Sequence, residues 1–206
     1  MPRLQFRDRS VTTKKVLLVR HGTHSEVGRV LSGRSEIPLD DRGRRQADAL
    51  ALALDHTPIE TFHTSPRARA RETIAPIAER RALPVIVTPA LDEIDFGGFT
   101  GRQFDALAAD PYWQRWNAER ATARCPGGET MAEASDRALA YLRGLSADDS
   151  PALCVTHCDI IRGVVVRALG IGFDGMFAFD CDPASCTTLE IGDGRIRIVA
   201  LNERVR

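Results

Sequence analysis

Four short segments of the chain carry side chains suited to handling a tetrahedral anion: Arg20-His21-Gly22, Ser65-Pro66-Arg67-Ala68-Arg69, Asp92-Glu93 and His157. An uncharged imidazole is a competent nucleophile near neutral pH. Guanidinium groups bind phosphate oxygens bidentately and neutralise charge on a phosphoryl group in transit. A carboxyl group held in its protonated form can hand a proton to a leaving oxygen. Phosphoryl transfer is mostly positioning and electrostatics, so two imidazoles, two or more guanidiniums and a carboxyl group are a sufficient inventory. The same two histidines and carboxylate could hold iron or zinc, but adjacent arginines would repel a cation. His24 reads as an exposed loop histidine rather than a ligand.

These residues cooperate only if the fold gathers them. Val16 to Val19 is a continuous apolar run suited to a strand buried on both faces, and it stops at Arg20-His21-Gly22. Apolar residues at Ala47, Leu50, Ala51 and Leu54 mark a helix from Gly43 to about His56. Thr61 to Thr64 predicts a second strand. Ser65-Pro66 predicts an N-cap and first helical position opening a helix to about Ala82. Pro84 to Val87 and Ala152 to Thr156 predict strands three and four. A helix from about Asp159 to Leu169 follows, stopped by Gly170. The chain ends on a hairpin, Thr187 to Ile191 and Arg195 to Leu201, turned through Gly192-Asp193-Gly194.

Strands alternating with helices predict an α/β fold: a three-layer α/β/α sandwich on a mostly parallel sheet. Ligands of such sheets bind beyond the carboxyl ends of the strands. Each of the four segments follows a predicted strand, so parallel strands would bring them to one rim. Between Gly97 and Glu129 the pattern changes to an aromatic and arginine-rich stretch, read as a small helical lid insertion, with an ordinary packed helical excursion as the alternative. Its Arg102, Arg115, Arg120 and Arg124 could meet a second anionic group of a substrate or form a solvated face.

Length and composition set the outer bounds. The 206 residues, 43% hydrophobic, suit one domain over residues 14–206, preceded by a loose polar tail over 1–13. Lys+Arg and Asp+Glu each number 28, so no global field favours nucleic acid or an anionic membrane. The five cysteines suggest no disulfide framework and no zinc pair, and no apolar run reaches membrane-spanning length. A cytoplasmic protein is expected, and the C-terminal edge hairpin could support a homodimer.

The segments also match a known pattern. Val16-Leu17-Leu18-Val19-Arg20-His21-Gly22 resembles the signature strand of the histidine phosphatase superfamily, which includes the cofactor-dependent phosphoglycerate mutases. The likeness extends in order through Pro38 to Ala47, Ser65 to Thr73, Leu91 to Gly101, Pro126-Gly127-Gly128-Glu129 and Val155 to Arg162. The resemblance implies that His21 attacks phosphorus, that Arg20, Arg69 and His157 hold the phosphoryl oxygens, and that Glu93 donates the proton. It implies no metal and no cofactor, and a small phosphorylated substrate. It also selects Arg69 over Arg67 and Arg71. Residues two apart on a helix point about 200° apart, so those two cannot share its face and read as surface charge.

Two positions depart from the pattern. Val27 stands where many relatives carry a phosphate-contacting asparagine, and Cys158 where a glycine often follows the second histidine. Asp95-Phe96-Gly97 spells a kinase tripeptide, but without the accompanying kinase motifs it reads as a turn. The modest Gly97 to Glu129 segment favours hydrolysis over a mutase reaction. A catalytically silent phospho-ligand binder is the third reading; retention of both a nucleophile and an acid argues against it.

Overall fold

Strand β1 (Lys14–Arg20) sits inside the sheet with Val16, Leu17, Leu18 and Val19 all buried. Alternate side chains of a strand point to opposite faces, and here each face has its own cover. Leu17 and Val19 pack with α1 (Asp41–Ala53) and α2 (Ala68–Arg81) through Leu50, Ala51, Ala70 and Ile74. Val16 and Leu18 pack with α5 (Met131–Gly144) and α6 (Cys158–Leu169) through Met131, Ala138, Ile161 and Val165. Each such side chain contributes roughly 1.5–3 kcal/mol by leaving water. The computed structural model describes residues 13–146 and 148–204, so the predicted tail lies outside the described residues except for Thr13.

The sheet runs in the order β3-β2-β4-β1-β5-β6. Strands β2 (Thr61–Thr64), β3 (Val85–Val87), β4 (Ala152–Thr156) and β1 are mutually parallel. The hairpin of β5 (Cys186–Gly192) and β6 (Arg195–Glu203) joins antiparallel on β1. This is the predicted α/β architecture, helices on both faces of a mainly parallel sheet. Because β4 inserts between β2 and β1, the carboxyl ends of β1 and β4 lie side by side. In register, Arg20 pairs with Thr156 and hands on to His21 and His157.

One local expectation is corrected, and one helix is added. Helix α2 starts at Ala68, capped by Arg67, not at Ser65-Pro66. Ser65 instead extends the strand, its N–H bonded to the Val155 carbonyl, and its hydroxyl faces His157. Helix α5 was not foreseen. It opens on a capping box in which Thr130 and Glu133 each bond the other's backbone N–H.

The stretch from Gly97 to Glu129 holds two short helices, α3 (Phe104–Ala108) and α4 (Pro111–Ala118). Phe99, Leu107 and Trp116 are buried in the cluster that covers the α5–α6 face, and the Trp113 and Trp116 rings stack at 5.2 Å. The arginines here are engaged by neighbouring side chains, and none of the four lines the cavity described below. Arg102 pairs with Asp110, Arg115 with Glu119 and Arg124 with Glu133. Arg120 is buried, its guanidinium 4.5 Å from the Trp116 ring centroid.

Candidate active site

The four strand-end segments meet around a cavity of about 380 Å³ lined by Arg20, His21, Arg69 and Glu93, with His24, Phe96, Phe104, Cys158, Asp159 and Arg162 among the other walls. His157 stands directly behind, its ring centroid 5.1 Å from that of His21 and its side chain fully buried. His21 and His157, 136 positions apart in the chain, are thus neighbours.

Hydrogen-bond donors and acceptors fix the tautomers. Nδ1 of His21 lies 2.8 Å from the carbonyl oxygen of Gly22. A carbonyl only accepts, so Nδ1 carries the proton and Nε2 keeps its lone pair. That Nε2 faces Nε of Arg69 at 3.3 Å. Burial, then the charges of Arg69 and Arg20, hold the His21 pKa well below the ordinary imidazole value. The ring is therefore neutral near pH 7, with its free nitrogen turned toward the guanidinium.

His157 has the complementary tautomer. Its Nδ1 lies 3.1 Å from Nη2 of Arg69, and a guanidinium only donates. The proton is on Nε2, which donates to Ser65 Oγ at 2.7 Å; that hydroxyl in turn donates to Asp92 Oδ1 at 3.2 Å. Ser65 and Asp92 thus set the ring's orientation. Burial and the Arg69 charge keep this imidazole neutral as well.

Arg69 is 1% exposed, an unusual place for a guanidinium. It is held by donation to the carbonyls of Gly33 and Ser35 at 2.5 and 2.9 Å and to both imidazoles. Arg20 donates through Nη1 to the Cys181 carbonyl at 2.5 Å, while its Nε is buried with no partner among the described residues. A buried donor without an acceptor is costly; Arg20 itself lines the cavity, where its positive charge suits an anionic ligand. Glu93 completes the ring of groups. Its Oε2 is 3.9 Å from Nδ1 of His157, and its Oε1 accepts from the Ile94 N–H at 3.0 Å. Burial, reinforced by the negative charge of Asp159 and opposed by Arg69, raises its pKa well above the carboxylate range. A proton donor at neutral pH results.

The structure thus brings Arg20, His21, Arg69, Glu93 and His157 together. It corrects two readings beside them. His24 is buried, not exposed: its ring lies 5.2 Å from that of His21, and burial plus Arg69 and Arg20 push its pKa down to about 4. Arg67 is half-buried, within 3.0 Å of Asp92 and 2.6 Å of Glu36, whereas Arg71 is exposed as expected. Sequence reasoning missed Ser65 as a histidine anchor, because Ser-Pro reads first as a helix cap. Val27 lines the cavity as an apolar wall at the departing position. Among the described residues, no group of three or more His, Cys, Asp and Glu side chains is arranged to hold a metal ion. No helix among them is long and apolar enough to cross a membrane.

Comparison with known proteins follows the same outline. Residues 16–204 match the family model described as the histidine phosphatase superfamily (branch 1). The chain is 29% identical to phosphoserine phosphatase 1 of Hydrogenobacter thermophilus over 91% of this chain and 92% of that one. It is 35% identical to the probable phosphoglycerate mutase of Cronobacter sakazakii over 76% of this chain and 75% of that one. The crystal structure of the α-ribazole phosphatase from Shigella flexneri superposes with a TM-score of 0.82 at 26% identity, covering 93% of this chain and 97% of that one.

Proposed function

The chain belongs to the histidine phosphatase superfamily, and on that premise we propose that it is a phosphomonoesterase for a small phosphorylated metabolite, working through a phosphohistidine on His21. The observation that carries this reading is the pairing of tautomer and acid. A neutral His21 with an unprotonated Nε2 and a protonated Glu93 flank one cavity lined by guanidiniums.

In the first step, the Nε2 lone pair attacks phosphorus and the ester P–O bond breaks. The leaving oxygen takes the proton of Glu93 and departs as an alcohol. Arg69 and Arg20 neutralise charge spread over the non-bridging oxygens, and His157, whose Nδ1 accepts from Arg69 Nη2, orients that guanidinium. Glu93, now a carboxylate, accepts a proton from water as the water oxygen attacks phosphorus. The N–P bond breaks, inorganic phosphate leaves, and both His21 and Glu93 return to their starting states. All three relatives are named for reactions of phosphate esters, which supports the substrate class without choosing the member.

Phosphoryl return to substrate, as in a mutase, needs the phosphohistidine shielded from water. The insertion, whose Phe104 lines the cavity, contributes only helices of 5 and 8 residues, which favours hydrolysis. The test is direct. Wild-type protein should release inorganic phosphate from p-nitrophenyl phosphate without added bisphosphoglycerate, and rapid quenching at alkaline pH should show one phosphoryl group on His21. Full activity in His21→Ala would refute the assignment.

A further inference from the structure

Glu93 must keep its carboxyl group aimed into the cavity, yet it is carried on an irregular segment, between the 3₁₀ turns Pro89–Leu91 and Gly97–Phe99. Two arginines reach that segment from distant parts of the chain. Nε of Arg34 donates to the Glu93 carbonyl at 2.9 Å, and Nη2 of Arg137 approaches the same oxygen at 3.4 Å. Arg137 also donates through Nη1 to the carbonyls of Pro89, Ala90 and Asp92 at 2.9, 2.9 and 3.1 Å.

Two guanidiniums converging on one carbonyl repel each other; Glu129 faces both, and Arg34 also lies 3.3 Å from the Asp95 carboxylate and 3.5 Å from that of Asp92. Oε2 of Glu129 accepts from Arg34 Nη2 at 2.9 Å, from Arg137 Nη2 at 3.1 Å and from the Asp95 N–H at 3.1 Å. Arg34 has a second connection. Its chain neighbours Gly33 and Ser35 supply the two carbonyls that hold Arg69. One short segment therefore grips the phosphate-site guanidinium on one side and the backbone of the proton donor on the other. None of Arg34, Glu129 and Arg137 lines the cavity.

We propose that Arg34, Glu129 and Arg137 are positioning residues for the proton donor, with Arg34 tying Arg69 to Glu93. The proposal rests on the phosphatase reading above and extends it to residues that never touch substrate.

A leaving-group series separates this role from mere structural support. p-Nitrophenolate departs easily without a proton, whereas an alkoxide does not, so misplacing the acid should hurt alkyl phosphates selectively. Expected for Glu129→Gln is a loss in kcat/KM on alkyl phosphomonoesters that exceeds the loss on p-nitrophenyl phosphate by about tenfold or more. The alkaline limb of the pH profile should move with it. Arg34→Met should behave likewise, and Arg34→Lys should recover part of the difference, because lysine keeps the charge and one donor at the Glu93 carbonyl. Arg34→Met carries the same test should Glu129→Gln fail to fold. Equal losses on alkyl and p-nitrophenyl esters, or no loss, would overturn the proposal. Glu93→Gln measured alongside keeps the two claims distinct. If it shows the leaving-group dependence and the positioning variants do not, only this inference falls. If Glu93→Gln shows none, the acid role of Glu93 and this inference fall together.

Discussion

Nε of Arg69 lies 3.3 Å from Nε2 of His21, so the guanidinium that would bind the phosphoryl group rests against the lone pair that would attack it. The contact is long for a hydrogen bond. An incoming phosphate oxygen is a charged and better acceptor than a neutral imidazole, and it would draw the guanidinium away and uncover the nucleophile. Three of the other four N–H donors of Arg69 are held by Gly33, Ser35 and His157, which limits how far the fork can swing and leaves one Nη1–H beside Nε–H for the phosphoryl group. Lysine has no such planar fork. Arg69→Lys should therefore lower kcat/KM on p-nitrophenyl phosphate by about 10²–10³, the range for losing one preorganised charge-stabilising group. A loss under about threefold in steady-state assays would show that Arg69 does not bind the transferring group.

The buried acid and buried imidazoles set the pH dependence. Glu93, with its pKa raised, is protonated across the neutral range and loses its proton only at higher pH. His21 and His157, with pKa values lowered, stay neutral until the pH falls below the ordinary imidazole value of 6.5. The kcat/KM profile should be a plateau around neutrality, falling on the alkaline side as Glu93 ionises; Glu93→Gln should flatten that limb and lower the plateau. The same residue opposes folding at neutral pH. Its unfolded-state carboxyl ionises above about 4.5 while the folded one does not, so the unfolded state gains on raising the pH. Removing the group should then raise the melting temperature at pH 7–8 but not at pH 4. A Glu93→Gln protein with an unchanged melting temperature at both pH values would contradict the buried, neutral acid.

Ser65 offers a narrower probe. Its hydroxyl accepts from His157 Nε2 at 2.7 Å and passes a hydrogen bond to Asp92. Ser65→Ala leaves that N–H without its acceptor and frees the imidazole to adopt the other tautomer. The expected result is roughly a tenfold weaker kcat/KM, by analogy with outer-shell partners that orient functional histidines, with a modest cost in stability of about 1–3 kcal/mol for a buried unpaired donor. Kinetics and thermal melts on the same preparation separate the two effects. Unaltered kinetics would remove Ser65 from the site.

Chelation addresses the rival use of the same side chains. Arg69 donates to both imidazoles and so occupies the space where a shared cation would sit. Activity should survive prolonged dialysis against EDTA. Reversible loss on chelation, restored by added zinc or iron, would return His21, His157 and Glu93 to the role of metal ligands.

How much of this was legible beforehand follows from where the information resides. The strands β1, β2 and β4 and the stop at Gly170 were readable because burial on both sheet faces and a left-handed glycine leave direct marks in residue type. The turn Asp193-Gly194 was readable for the same reason: both residues have positive φ. The four segments that hold the five central site residues were legible because each sits at or beyond a strand end and parallel strands share a rim; the resemblance to the family pattern then singled out Arg69 and implied the roles. What sequence could not show was long-range pairing. His24 looked like loop decoration because nothing local reveals that the fold buries it and brings Arg69 to it. Arg67 looked like surface charge because its partner Asp92 is 25 residues away (92 − 67 = 25). Ser65 looked like a cap because its partner His157 lies on another strand end. The Arg34–Glu129–Arg137 group links separate segments; Glu129 stands in the Pro126-Gly127-Gly128-Glu129 match, but nothing local ties it to Arg34 or Arg137.

The close approach of the first loop to α1 gives a final test, one that joins folding to catalysis. A Cβ added at Gly43 would lie 2.1 Å from the Thr23 carbonyl oxygen, and one at Gly22 would lie 2.8 Å from the Gly43 carbonyl oxygen. Those contacts are backbone on backbone, so no side chain can rotate aside. The same Thr23 carbonyl accepts from Asp40 N–H at 3.1 Å, and the Gly43 N–H donates to the Asp40 carboxylate at 2.7 Å, so the loop and the helix cap move together. Gly43→Ala must push the loop away from α1, and His21 lies at the start of that loop. Overpacking of this kind costs roughly 1–3 kcal/mol or more, so the melting temperature should fall and kcat should fall with it. Gly144→Ala is the control: nothing lies within 4 Å of a Cβ at that exposed end of α5, and alanine should hold or slightly raise stability there. If Gly43→Ala melts and turns over like wild type, the loop that presents His21 is not seated against α1 as described.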